Sequence, residues 1–305
     1  WWWITEKNFL GKGINLQTDL QISEEKIKGK FIYSKPNFNY SENTLFTSFK
    51  SSNTDRIKDF GYETTDLGVS LGTKFEQFEN LFFSPELDIS LEDLKTTSAA
   101  STNLKKQAGN YEDFYFNYGL DYDLRNSPYK PSSGNKTSFY QTLPIVSSNN
   151  EIANTFIYTQ YKKLDTETDM VGKLSLYMKA VNSIDDSDVR ISKRAKMPYN
   201  RLRGFEREKI GPKDGDDYIG GNYITTLNFS TNLPGILSTM ENFDFSYFID
   251  IGNVWGVDYD SAVDQSNFIR SSTGIWIRLD NTYWTIEFLF DTTYYKKINR
   301  CHRVI

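Results

Sequence analysis

The sequence predicts an all-β chain folded as a transmembrane antiparallel β-barrel. Three observations carry this: period-two alternation along its length, many aromatic rings in a polar chain, and no apolar run long enough for a spanning helix. Aromatic residues make up 16%, with 20 Tyr and 22 Phe, yet the mean hydropathy is -0.57. A soluble core rich in rings normally carries many Leu, Val and Ala beside them. A barrel reconciles the two figures, because each strand needs only alternate residues to be apolar. No stretch approaches about 18 consecutive apolar residues, the usual minimum for a membrane helix.

The alternation begins at 14–22, where Ile14, Leu16, Thr18, Leu20 and Ile22 interleave with Asn15, Gln17, Asp19 and Gln21. Further strands are predicted at 26–34, 44–52 and 62–72. In 81–92, Phe83, Leu87, Ile89 and Leu91 oppose Ser84, Glu86, Asp88, Ser90 and Glu92. In 111–125, Phe114, Phe116, Tyr118, Leu120, Tyr122 and Leu124 oppose Asn117, Asp121, Asp123 and Arg125. Then come 136–143, 152–162 and 171–181, and 218–233, where Tyr223, Leu227, Phe229 and Leu233 oppose Asn222, Thr226, Asn228 and Asn232. The ranges 243–255 and 268–279 complete twelve strands. Most have the roughly 9–11 residues that a tilted strand needs to cross the hydrocarbon layer. Short connectors such as 35–43 and 129–134 suit one rim, and long polar ones such as 93–110 and 182–217 suit the other. A soluble β-sandwich also alternates, but its strands are typically about 5–6 residues and bury one face against a second sheet.

The composition excludes several chemistries. A net charge of -5 with no basic cluster argues against nucleic acid. The single cysteine, Cys301, allows no internal disulfide, and the single histidine, His302, leaves little material for triads or histidine metal sites. The pairs Asp185-Asp186 and Asp216-Asp217 lack the Gly and Glu spacing of a calcium loop. No catalytic residues, metal or cofactor are therefore expected. No signal peptide is visible, so an exported protein would have a further N-terminal segment.

The long connector carries Arg203-Gly204-Phe205, then Gly211-Pro212 and Gly220-Gly221-Asn222. A later strand reads Phe248-Ile249-Asp250-Ile251-Gly252-Asn253-Val254-Trp255. If Ile249 and Ile251 face lipid, Asp250 points into the lumen, where a desolvated carboxylate needs a partner. This order resembles the BamA-like branch of the Omp85 superfamily. Asn8, Phe9, Leu10, Gly11 and Gly13 resemble the family's first periplasmic turn, and the likeness extends to about Gly274. The resemblance implies that Arg203 is the partner of Asp250, that Gly204 turns the loop tip and that Phe205 packs beside it. Gly211, Pro212, Gly220, Gly221, Asn222, Asn228, Gly252 and Trp255 support the motif. One departure stands out, because Asn228 occupies a position that often carries Glu in the family, which leaves the loop anchor to rest on Asp250 alone. Asp121, Asp123 and Arg125 read as a solvated lumenal wall of mixed charge.

The resemblance implies a sixteen-stranded barrel, here truncated to about twelve intact strands, with the first two and last two missing or disrupted. Residues 1–279 form the barrel domain, without periplasmic modules, and 280–305 form an aberrant tail. Codons compatible with 281–305, read one nucleotide later, encode a segment resembling the family's fifteenth strand, so the tail reads as a frame-shifted version of it. It also implies a non-enzymatic factor that inserts other barrels into the outer membrane of a Gram-negative bacterium by pairing at a lateral seam. The expected partners are the lipid bilayer, nascent barrel proteins and accessory lipoproteins. A polypeptide-translocating barrel and a passive porin are the alternatives, and a barrel-borne hydrolase is disfavoured by the near absence of histidine.

Overall fold

Because alternate side chains of a strand face opposite sides, a chain with this pattern can satisfy lipid and lumen only by pairing each strand with the next. The computed structural model describes residues 2–165, 167–185, 187–206, 208–234, 243–258, 268–279 and 285–290. Its strands are β1 (Trp2–Phe9), β2 (Ile14–Ile22), β3 (Lys26–Lys35), β4 (Thr44–Arg56), β5 (Tyr62–Phe78), β6 (Leu81–Thr96), β7 (Gly109–Asp123) and β8 (Gly134–Ser147). There follow β9 (Glu151–Asp165), β10 (Met170–Ser183), the short β11 (Lys213–Asp214) and β12 (Asp217–Tyr218), then β13 (Tyr223–Asn232), β14 (Phe243–Trp255), β15 (Arg270–Leu279) and β16 (Thr285–Phe290). All except β11 and β12, which pair with each other, form one 14-stranded antiparallel sheet in chain order.

The register places apolar residues in rows. Leu71, Leu87, Phe116 and Leu143 lie side by side across β5 to β8, and the first two are 54% and 43% exposed on the outer face. The neighbouring row of opposite parity, Ser70, Asp88 and Tyr115, is buried on the inner face. The rims separate as the connector lengths suggest. Residues 36–43, 79–80 and 124–133 turn at one end, while 97–108 and 184–222 cross at the other.

All twelve predicted strands are present, and two more flank them. Residues 2–9, where the first strands are expected to be missing or disrupted, pair with β2 from Trp2 opposite Leu20 to Phe9 opposite Ile14. Three consecutive Trp residues hide the period of two, yet Trp, Ile and Thr all suit an extended backbone, and pairing with the edge of β2 requires only backbone groups. The turn that follows is held by Asn8, whose Oδ1 accepts from the Gly13 amide at 2.7 Å. At the other end, β16 pairs with Thr273–Arg278 of β15. Residues 280–284 and 291–305, which include Cys301 and His302 and most of the frame-shift reading, lie outside the described residues. The expected strand 218–233 starts only at Tyr223, because Asp217–Tyr218 folds back on Lys213–Asp214 and Gly220 has φ +69°. Among the described residues, no ladder joins β1 to β16.

Leu87 sits midway along the outer face of β6, so Leu87→Arg places a charge at mid-depth of a bilayer. It is expected to destabilise the protein in lipid vesicles by about 2–4 kcal/mol. Urea titration of the refolded variant measures this, and a loss below about 0.5 kcal/mol would place Leu87 away from lipid.

Candidate functional site: the lumenal loop

A sheet that turns its apolar face outward has no core of its own, and the loop 184–222 supplies one. Val189, Ile191, Ala195, Met197, Leu202, Ile210 and Ile219, all from this loop, are buried. Ile191 and Ile219 join Phe60, Tyr62, Leu94, Ala100 and Leu104, while Ala195, Met197, Leu202 and Ile210 pack on Ile224 and Val254. The loop thus touches inward-facing side chains of β5, β6, β13 and β14 at once. The sheet wraps around it.

The tip of the loop is held by charge. Arg203 reaches Asp250 through Nε at 2.7 Å and Nη2 at 2.8 Å, and its backbone amide donates to the same carboxylate at 3.1 Å. This fork is the strongest geometry available to a guanidinium and a carboxylate. Asp250 is fully buried and the Arg203 side chain is 19% exposed. Phe248, two residues along the same inner face of β14, lies beneath the guanidinium at 3.6 Å from the ring centroid. Strand parity explains both contacts, since Ile249 and Ile251 are partly exposed on the outer face. Gly204 turns the tip at φ +87°, a conformation that a side chain disfavours. Phe205 packs against the cluster of Leu202, Ile210 and Val254.

Asn228 changes the expected picture of an anchor resting on Asp250 alone. Asp250 is the only carboxylate on Arg203 among the described residues, but the Asn228 amide donates to Asp250 at 2.9 Å and to the Arg201 carbonyl at 2.6 Å. It thereby ties β13, β14 and the loop backbone together, a bridge that a carboxylate could not make because it has no donor. Gly221 lies so close to β14 that a Cβ there would stand 2.5 Å from the Trp255 carbonyl. Asn222 accepts from Arg194 at 3.1 Å and donates to Asp258 at 2.7 Å. Gly211 lies against Val254, the Pro212 carbonyl accepts from the Ile219 amide, Gly252 lies under Met197, and Trp255 stacks obliquely on Tyr223. The residues of the first turn, Asn8 to Gly13, sit at the opposite rim and do not join this site. Asp121 and Asp123 lie apart from this site on β7, where Arg125, just beyond the strand, forks onto Asp123 at 2.8 and 2.7 Å and Asp121 accepts from Ser138 and Tyr140.

A second anchor escaped the sequence reading. Arg190 is completely buried and donates to Asp113 at 2.8 Å and Glu92 at 3.4 Å, while Glu151 accepts from its backbone amide at 2.6 Å. The Tyr111 ring stacks 4.0 Å from the guanidinium carbon. Lys193 stands 3.6 Å from Glu92 and 3.9 Å from Asp113. Further along, Lys196 donates to Tyr62 and lies 5.2 Å from the Phe60 ring centroid, and Arg56 pairs with Glu208. The signal was present as the basic spacing Arg190, Lys193, Arg194 and Lys196 in a loop facing acidic strand positions such as Glu92.

Burial disfavours the charged form of Arg190, but Glu92, Glu151 and Asp113 outweigh it and hold the guanidinium above its usual range. Burial pushes Lys196 down to about 7, with Arg56 adding to the effect and Glu208 opposing it. Arg201 is lowered by burial, which Tyr177 and Asp250 offset only in part.

This fold with a long loop anchored inside defines a class: a membrane β-barrel whose lumen is filled from one rim. The model of the Omp85 superfamily domain matches residues 8–294. Over 109 residues the chain is 30% identical to the outer membrane protein assembly factor BamA of Neorickettsia risticii (strain Illinois), a match covering 35% of this chain and 15% of that protein. Among solved structures, BamA from Haemophilus ducreyi lacking POTRA domains 1-3 aligns with a TM-score of 0.80 at 21% identity, over 96% of this chain and 64% of that one. CdiB from Acinetobacter baumannii aligns with a TM-score of 0.53 at 10% identity, over 93% and 51%. The chain belongs to the Omp85 superfamily, and its barrel is BamA-like. It spans less than two thirds of each of these relatives.

Two outcomes test the anchors by urea unfolding. Arg203→Ala and Asp250→Ala should each cost roughly 2–4 kcal/mol, below the ~3–5 of a fully buried pair because the Arg203 side chain keeps some contact with solvent. The double variant should lose at least about 1 kcal/mol less than the sum, and strict additivity would mean that the pair is not coupled. Arg190→Met leaves three buried carboxylates facing one another and should cost about 3–5 kcal/mol. Adding Asp113→Asn to it should recover part of that loss.

Proposed function

We propose that this chain is the barrel of an outer-membrane insertase, a non-enzymatic factor that helps other β-barrel proteins enter the outer membrane of a Gram-negative bacterium. The observation that carries the reading is the Arg203–Asp250 fork, which holds a 39-residue connector inside the sheet. A passive pore gains nothing from a lumen so filled. An assembly factor does gain, because a loop braced against β13 to β15 keeps the wall stiff while an edge strand stays available for pairing. The name of the curated relative, an outer membrane protein assembly factor, supports the same reading. The proposed partners are the bilayer, nascent barrel proteins and, for the full-length protein, accessory lipoproteins.

The second reading, a polypeptide-translocating barrel of the same superfamily, is supported by the likeness of fold to CdiB. Full-length protein in liposomes separates the two. An insertase should accelerate protease-resistant folding of a second barrel protein, and Arg203→Ala should reduce that acceleration severalfold without abolishing its own folding. Transport of an unfolded polypeptide into the liposome without any gain in barrel folding would favour the translocator.

A further inference from the structure

Between the loop and the inner faces of β4 and β6 to β10 lies a cavity of about 300 Å³, in which Asp88 is already paired with Lys50. Lys179 of β10 lines it and, unlike Lys50, Lys193 and Arg194 around it, makes no ion pair or hydrogen bond among the described residues. Three buried polar atoms from lining residues also have no hydrogen-bond partner among the described residues: Ser192 Oγ on the loop, Asn117 Oδ1 on β7 and Glu151 Oε2 on β9, the last with only the Arg190 guanidinium at 3.8 Å. Glu151 is 3% exposed, and its other oxygen is already engaged by the Arg190 amide. Buried polar atoms of this kind are uncommon and need partners.

The unsatisfied groups are of two kinds. Lys179 and Ser192 offer hydrogens, and Lys193, more than 3.5 Å from either of its carboxylates, can turn toward the same space. Glu151 Oε2 and Asn117 Oδ1 require them. A bare anion would satisfy the first group and be repelled by Glu151. We propose that the cavity binds an oxyanion that itself carries a hydroxyl, such as hydrogen phosphate. Its charged oxygens face Lys179, Lys193 and Ser192, and its own hydroxyl donates to Glu151. Such a ligand joins the loop, through Ser192 and Lys193, to the wall, through Lys179 and Glu151, and so favours the docked loop by mass action.

Inorganic phosphate and sulfate serve as probes at pH 8, where hydrogen phosphate keeps one P–OH and sulfate has none. Calorimetric titration of the purified full chain in detergent, at constant ionic strength, should give saturable phosphate binding and sulfate binding at least about tenfold weaker, the difference expected of one charge-assisted hydrogen bond. Lys179→Met should weaken phosphate by a similar factor. Glu151→Gln, whose amide can donate, should erase the preference for phosphate over sulfate. Should Lys179→Met not fold, Ser192→Ala on the loop should still weaken phosphate measurably. Equal binding of the two anions by the unaltered chain, unchanged phosphate affinity in these variants, or no saturable phosphate binding would each overturn the proposal.

Discussion

A sheet that faces lipid cannot use its rings to form a core, and this constraint governs the rest of the molecule. Leu67, Leu71, Leu87, Ile89 and Leu91 point outward, where hydrocarbon would cover them. The inner face is left mostly with Ser, Thr, Asn and carboxylates, and its few apolar side chains, such as Tyr62, Leu94, Ile224 and Val254, are too scattered to form a core with one another. Apolar packing must come from elsewhere in the chain. The loop 184–222 brings it in, and its Ile191, Met197 and Leu202 sit where a soluble protein would place the centre of its core. It arrives with cations because the walls it meets are acidic, and no buried carboxylate at Glu92, Asp113 or Asp250 could persist unpaired.

Much of this was legible in the sequence. Strand parity needs no tertiary knowledge, and it placed Asp250 inward through Ile249 and Ile251, and Asp121 and Asp123 inward through Leu120 and Tyr122. Pairing of consecutive strands follows from short connectors. What parity cannot supply is which inward residues meet across the lumen. Arg203 and Asp250 are 47 residues apart, and only the motif's resemblance joined them. Arg190 had no motif to mark it, and its partners lie on β6, β7 and β9, between 39 and 98 residues away. The strand at 2–9 was hidden for a different reason. An edge strand is recruited by its neighbour's backbone, and its own side chains carry little of the signal.

The two anchors also differ in kind. Arg190 sits among three carboxylates and a tyrosine ring with no measurable exposure, so its desolvation is offset by charge in excess of its own. Arg203 meets one carboxylate, one aromatic face and a neutral amide, and it retains some contact with solvent. The first arrangement resembles a permanent structural pin, since releasing it exposes a net negative cluster. The second leaves less behind when it opens, because Asn228 still donates to Asp250 after Arg203 departs. The amide of Asn228 therefore has a mechanical meaning: it adds no second negative charge to hold Arg203 and it stabilises the emptied acceptor. A loop pinned at Arg190 and more weakly held at Arg203 can move its tip while its root stays fixed. The freedom lies at the tip beside β13 to β15, while the strand walls from β6 to β9 remain braced.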